Sequence, residues 1–203
     1  MGPVCFTFLL TTALAGVPTA PGAVLSDAEL AAVEGKYADH RQLNSTSGWT
    51  ANFQQEVHSP DLLQPILSQG KLDFEAPDAL TLTYAAPVAG QVALIHGKFQ
   101  QSVPGRDAQA ASAELLQSLV RFFQAPPRVW HEQFAVTATR DGNLLTIHLA
   151  AKPHEAAAQP ATIEEIIDAA TLDPVSLTIG FTSQASLKFT FSGWHRNNAS
   201  PKS

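Results

Sequence analysis

The sequence predicts a mainly β fold with helices (α+β): a strongly curved antiparallel sheet, or unclosed β-barrel, under a helical lid. Three observations carry this. From residue 49 onward most segments alternate apolar and polar residues with a period of two, the signature of strands with one buried face. These segments follow one another in hairpin order, without the βαβ alternation that builds parallel sheets. Only two helical segments are available to cover the apolar side of roughly nine or ten strands, one ahead of them and one inserted midway.

Taken in order, Ser26 stands three residues before Glu29, a capping box that satisfies free amides at a helix start. A helix from about Asp27 to Leu43 follows, with Leu30, Val33 and Tyr37 along one stripe, and "NSTSG" breaks it. In "WTANFQQEV", Trp49, Ala51, Phe53, Gln55 and Val57 point to one side of an extended chain. Leu72 and Phe74 then alternate with Lys71, Asp73 and Glu75, and Leu80, Leu82 and Tyr84 with Thr81 and Thr83. "QVALIHGKFQQSV" is a hairpin turning at His96-Gly97, its second arm carrying Phe99 and Val103. Asp107 caps the second helix and Pro126-Pro127 stop it after "AELLQSLVRFFQ". Leu115, Leu116, Leu119, Val120, Phe122 and Phe123 give that helix a broad apolar face.

Strands resume with Phe134, Val136 and Ala138, turn at "RDGN", and return through Leu145, Ile147 and Leu149. "KPHEAAAQP" is a loop. In "TIEEIIDAATLDP", Ile163, Ile166 and Ile167 have helical spacing while Ile163, Glu165 and Ile167 alternate; the segment is read as a strand. Val175, Leu177, Ile179 and Phe181, then Leu187, Phe189 and Phe191, form the closing strands, and "HRNNASPKS" is expected to fray.

The first 23 residues contain no charged side chain and place a small-x-small pattern, Ala13-Leu14-Ala15, behind an apolar run too short to span a bilayer. They read as a secretory signal peptide, residues 1–23, although no Lys or Arg precedes the run. A single domain, residues 24–203, is then expected. Cys5, the one cysteine, falls within the signal, which removes disulfides, thiolate nucleophiles and Cys-based zinc sites from the mature chain. A net charge of −6 argues against a nucleic-acid partner and against a polybasic membrane anchor.

Little in the sequence points to catalysis. The seven histidines show no ligand-like spacing, and "HEQFA" at 131–135 lacks the second His of a zincin helix. His148 lies opposite the apolar residues of its strand, and His96 sits in a turn. No Gly-rich phosphate loop is present, and "GFTSQ" at 180–184 lacks the nucleophile-elbow pattern. Asp73 and Glu75 fall on the polar face of their strand. The expectation is a protein that is not an enzyme and has no metal and no cofactor.

The order of segments resembles the LolA-like outer-membrane lipoprotein carriers. "WTANFQQ" matches their aromatic-x-x-x-Phe-x-Gln strand at Trp49, Phe53 and Gln55, and "GKLDFEAPDALTLTYAAP" their strand leading through x-Pro to Tyr-x-x-Pro. "AELLQSLVRFF" stands where the family has its Leu-rich lid, and "FAVTATRDGNLLTIHLAAKP" and the closing "LKFTFSGW" where it has later hairpins. The resemblance implies an unclosed barrel whose lid covers a site for acyl chains. The family's lid-controlling Arg before Pro is here Ala76 before Pro77, and the Trp and Tyr that usually follow the turn after His96 are missing.

On this basis Trp49, Phe53, Leu72, Phe74, Leu82 and Tyr84 are the expected cavity wall on the first strands. Phe134, Val136, Leu145, Ile147 and Phe189 extend it. Leu115, Leu116, Leu119, Val120 and Phe123 form the expected lid. The expected function is a periplasmic carrier or chaperone that takes the acyl chains of lipoproteins, or another lipid, towards the outer membrane. An inner-membrane exporter and an outer-membrane acceptor are the implied partners, and a monomer suffices. A lipid- or lipoprotein-sensing module is the alternative, and a lipid-directed hydrolase a third reading.

Overall fold

The computed structural model describes residues 22–75, 77–102, 119–120, 122, 127–152 and 160–197. Ala76, Val103, the Asp107 cap, Leu115, Leu116, Phe123 and the expected signal up to residue 21 lie outside the described residues.

Eleven strands are described: β1 (Ala23–Val24), β2 (Trp49–His58), β3 (Ile66–Glu75), β4 (Ala79–Ala86), β5 (Gly90–Ile95), β6 (Lys98–Ser102), β7 (Phe134–Asp141), β8 (Leu144–Ala151), β9 (Thr162–Asp168), β10 (Pro174–Gly180) and β11 (Ser186–Arg196). They form one sheet in the order β1-β7-β8-β9-β10-β11-β2-β3-β4-β5-β6. Every neighbouring pair is antiparallel. Two meanders, β2 to β6 and β7 to β11, are joined where β11 lies beside β2, and the sheet does not close into a barrel.

The capping box forms as the sequence predicts: Ser26 N–H donates to Glu29 Oε2 at 2.9 Å, and Glu29 N–H to Ser26 Oγ at 3.4 Å. Helix α1 (Asp27–Ser47) runs one turn past the expected end at Leu43. Asn, Ser and Thr weaken a helix without stopping it, and Thr46 Oγ1 donates back to the Gln42 carbonyl at 3.1 Å. The stop is Gly48, whose φ of 71° is a left-handed cap. In the β5–β6 turn His96 and Gly97 both have positive φ, 50° and 73°, as a two-residue hairpin loop with type I′ character requires.

Three expectations are corrected. Pro127 does more than end a helix: it opens a short one, α2 (Pro127–Gln133), as a first-turn proline can, since its missing N–H has no intrahelical partner to lose. The tail does not fray at His195, because β11 continues to Arg196, pairing His195 with Thr50 and Arg196 with Trp49. Val175 is only half-buried and Phe181 is exposed: a register shift between Pro174 and Ser176 breaks the alternation, and Phe181 lies beyond the strand.

Leu119, Val120 and Phe122 are helical and buried, and they join α1, α2 and one face of the sheet in a single hydrophobic core. The opposite face is polar, with Asp73 and Glu75 on it as expected.

Candidate functional site

Residues directly opposite in an antiparallel sheet share a face, so the pairings define the inner wall. Trp49, Phe74 and Leu80 form one row across β2, β3 and β4, and Ala51, Leu72 and Leu82 the next. A longer row crosses seven strands, from Ala138 through Ile147, Glu165, Leu177, Phe189 and Gln55 to Ser68. All eleven expected wall residues lie on this face. Nine are buried, and Tyr84 and Val136 are half-buried.

Aromatic rings line the wall around β2. Phe53 meets Tyr84 and Phe189 edge-on, with centroids 5.3 and 5.8 Å apart. Trp49 lies 5.7 Å from Phe74 and 4.5 Å from Trp194. Gly70 makes room for Phe53, since it stands directly opposite and carries no side chain. Leu119 and Val120, the described part of the expected lid, belong to the same core, so in this state protein side chains occupy the wall.

The wall carries polar groups that the periodicity does not advertise. Tyr84 shares a hydrogen bond with the buried Gln55, and burial pushes its pKa up to about 12, so its hydroxyl stays protonated. More consequential is Glu165 on β9, 1% exposed and surrounded by Ile147, Leu177 and the helices. Tyr37 O–H donates to its Oε1 at 2.6 Å, and Arg41 Nη2 reaches its two oxygens at 3.3 and 3.1 Å and Tyr37 Oη at 3.2 Å. Arg41 Nη1 donates to the main-chain carbonyl of Phe122. The guanidinium carbon lies 4.5 to 4.8 Å from the ring centroids of Phe122, Tyr37 and Trp130.

One buried cation therefore ties α1, β9 and the Phe122 segment together. A buried ion pair is a poor source of net stability, but losing one partner leaves an uncompensated charge in an apolar surround. Burial raises the Glu165 carboxyl above its ordinary range, an effect Arg41 and Tyr37 oppose, while burial drives the Tyr37 hydroxyl well above its own. Alternation in the sequence points to Asp73 and Glu75 as carboxylates of the solvent-facing side, and Glu165 is the one turned inward. The available signals were the alternation Ile163, Glu165, Ile167, which turns Glu165 inward, and Arg41, one helical step beyond Tyr37 on the stripe of Leu30 and Val33.

A second polar cluster lies at the C-terminal half of α1. His40 is buried, accepts a hydrogen bond from Arg196, and lies 3.3 Å from Asp173. His96 pairs with Asp78, His131 with Glu34 and His148 with Glu164, at 2.8, 2.7 and 3.3 Å. Among the described residues no group of three or more His, Cys, Asp or Glu side chains could hold a metal ion. No described helix is long and apolar enough to cross a membrane. On the outer face, a groove of about 380 Å³ is lined by Lys71, Asp73, Glu75, Thr81, Gln91 and His96, too polar for an acyl chain. Leu63 is fully exposed in the β2–β3 connection, and Leu67 is exposed on β3, opposite Glu56 and away from the inner wall.

No protein-family profile and no curated protein matches the chain by sequence. Among solved structures, MucB has a TM-score of 0.51 at 13% identity, over 84% of this chain and 61% of MucB. The chain thus spans about three fifths of that relative. A LolA superfamily protein, NE2245 of Nitrosomonas europaea, matches at 6% identity with a TM-score of 0.36, over 83% of this chain and 96% of its own. Lipoprotein LppX of Mycobacterium tuberculosis matches at 12% identity with a TM-score of 0.43, over 88% of this chain and all of its own. The chain is similar to MucB in fold.

Proposed function

We propose that the chain is an extracytoplasmic carrier that binds the acyl chains of lipoproteins, or of another lipid, and is a binding protein rather than an enzyme. The observation that carries this reading is the inner face of the sheet. It is a mainly apolar wall, broken by Gln55 and Glu165 and covered by helical segments instead of a second sheet, so the cover can leave without unzipping a strand ladder. Transfer of one CH₂ from water into such a surround is worth about 0.8 kcal/mol, so a whole acyl chain can replace the lid's own contacts. Transport through the periplasm, from an inner-membrane exporter to an outer-membrane acceptor, is the role this chemistry suits.

Native mass spectrometry of the gently purified protein tests the reading. Co-purified lipid or lipidated peptide supports carriage. A chain that arrives empty and takes up no fluorescent phospholipid analogue overturns it.

A second reading is a sensing module that binds a protein. MucB, similar in fold, has been crystallised in complex with MucA. The exposed Leu63 and Leu67, which lie off the inner wall, are the observation that favours it here. A bound protein in the same mass spectrum, with no lipid, is its expected result.

A further inference from the structure

Six of the eight large apolar side chains that stand exposed among the described residues gather at one end of the sheet. Leu62 and Leu63 lie in the β2–β3 connection, and Ile66 and Leu67 follow at the start of β3. Gln69 pairs with Ala86, which sets the β4–β5 turn and its exposed Val88 on one side of that connection. Ser186 pairs with His58, which sets the β10–β11 turn and its exposed Phe181 on the other. The remaining two, Val24 and Leu144, lie towards the opposite end, where Asp78, Asp141 and Asp168 stand in or beside the turns. Among residues 59–65, 87–89 and 181–185, by contrast, Asp61 is the one charged side chain.

The inner wall runs out to this rim without a polar break. The row that reaches it is Leu149, Ile163, Ile179, Leu187, Val57 and Ile66, paired across β8, β9, β10, β11, β2 and β3. Every member is apolar, and the row with Glu165 and Gln55 lies deeper. Burial falls towards the rim: Leu187 is 4% exposed, Val57 half-buried and Ile66 41% exposed. An exposed apolar cluster of this kind marks a contact with a protein or a membrane. Here its members sit on the tips of three separate turns, almost without charge, and adjoin a wall for hydrocarbon, which suits partition into a bilayer interface.

We infer that this end of the sheet docks on a lipid surface, inserting the β2–β3, β4–β5 and β10–β11 turns among the headgroups so that the inner wall opens towards the acyl chains. The inference rests on the carrier reading and adds the surface with which the lipid is exchanged. The three turns carry one acidic residue and no Lys or Arg, so apolar burial supplies the attraction. Docking therefore reaches neutral phosphatidylcholine and withstands salt.

The test places one NBD fluorophore on the full chain, at Leu63→Cys or, as a control at the other end, at Leu144→Cys, each with Cys5→Ser so that the label is single. Phosphatidylcholine vesicles are added, with and without lipids that carry a spin-label quencher. The expected result is a blue-shifted emission at position 63 that the lipid-borne label quenches, no change at position 144, and the same response at low and high salt. No response at position 63, equal responses at both positions, or a response that needs anionic lipid and vanishes in salt overturns the docking rim. Shielding of position 63 that grows with protein concentration and ignores vesicles overturns it in favour of a second copy of the chain. The double variant Leu63→Gln/Val88→Gln changes only exposed side chains. It is expected to slow transfer of a fluorescent phospholipid analogue from the vesicles about tenfold, and to leave uptake of a soluble short-chain analogue unchanged. Unchanged transfer from vesicles overturns the rim and leaves carriage standing. Uptake by the wild-type chain from neither source overturns carriage itself, and with it the opening of the wall onto lipid.

Discussion

Phe53 on β2 stands opposite Gly70 on β3 so closely that a Cβ at Gly70 would lie 3.0 Å from Phe53 Cζ and 2.0 Å from the Thr83 carbonyl oxygen. The second contact is with backbone and cannot be relieved by a rotamer change. Gly70→Ala is therefore expected to destabilise the protein by about 1–3 kcal/mol or more, from forced strand movement. Urea unfolding of the two proteins checks this, and an unchanged midpoint would show that the β3–β4 register can shift at no cost.

The Arg41–Glu165 pair predicts strong non-additivity. Glu165→Leu alone leaves Arg41 buried without its counter-charge and is expected to cost about 3–5 kcal/mol. Adding Arg41→Met to it should recover most of that loss, because both charges have then gone. A double-mutant cycle by chemical denaturation measures the coupling, and simple addition of the two single effects would contradict it.

His40 predicts acid sensitivity. Burial first, and then the Arg196 guanidinium, hold its pKa below the ordinary 6.5 despite the nearby Asp173. The folded protein thus keeps His40 neutral at pH values where the unfolded chain binds a proton. Its contribution is complete above 6.5 and is lost as pH falls from there towards the folded value. Replacing it by Gln, which keeps a hydrogen-bond acceptor, should flatten this part of the stability–pH curve. Melting temperatures across that range give the comparison.

Leu119 is 1% exposed and holds the helical cover onto the wall. Leu119→Ala removes packing worth about 2–5 kcal/mol for a buried leucine, which favours the open state as well as the unfolded one. Uptake of a fluorescent phospholipid analogue, followed by stopped flow, should become faster in this variant. Unaltered rates would mean that the cover does not limit access.

Much of this architecture was legible because a period-two pattern survives wherever one strand face is dry. Leu72 and Phe74, Leu145 and Ile147, and Phe189 and Phe191 all lie inward as the alternation predicts. The Ser26 cap and the His96-Gly97 turn were legible for the same reason: short-range geometry requires those residue types. Glu165 was not, since its inward position conflicts with its charge and only Tyr37 and Arg41, far away in the chain, resolve the conflict. The persistence of β11 to Arg196 was equally hidden, because polar residues there are held by pairing with Thr50 and Trp49 rather than by their own preferences. Helix α2 escaped because proline signals both a stop and a start.

The β2–β11 seam bears on how the molecule comes into being. Its two strands come from opposite ends of the described chain, so β2 is made long before the strand that completes its ladder. Until β11 emerges from synthesis, the nascent polypeptide carries two half-sheets, each with a raw edge and an uncovered greasy flank, the species most prone to sticking to its neighbours. Contacts of such long sequence separation also slow the final closure. A protein suited to shielding another molecule's hydrocarbon thus spends its own biogenesis in need of the same protection.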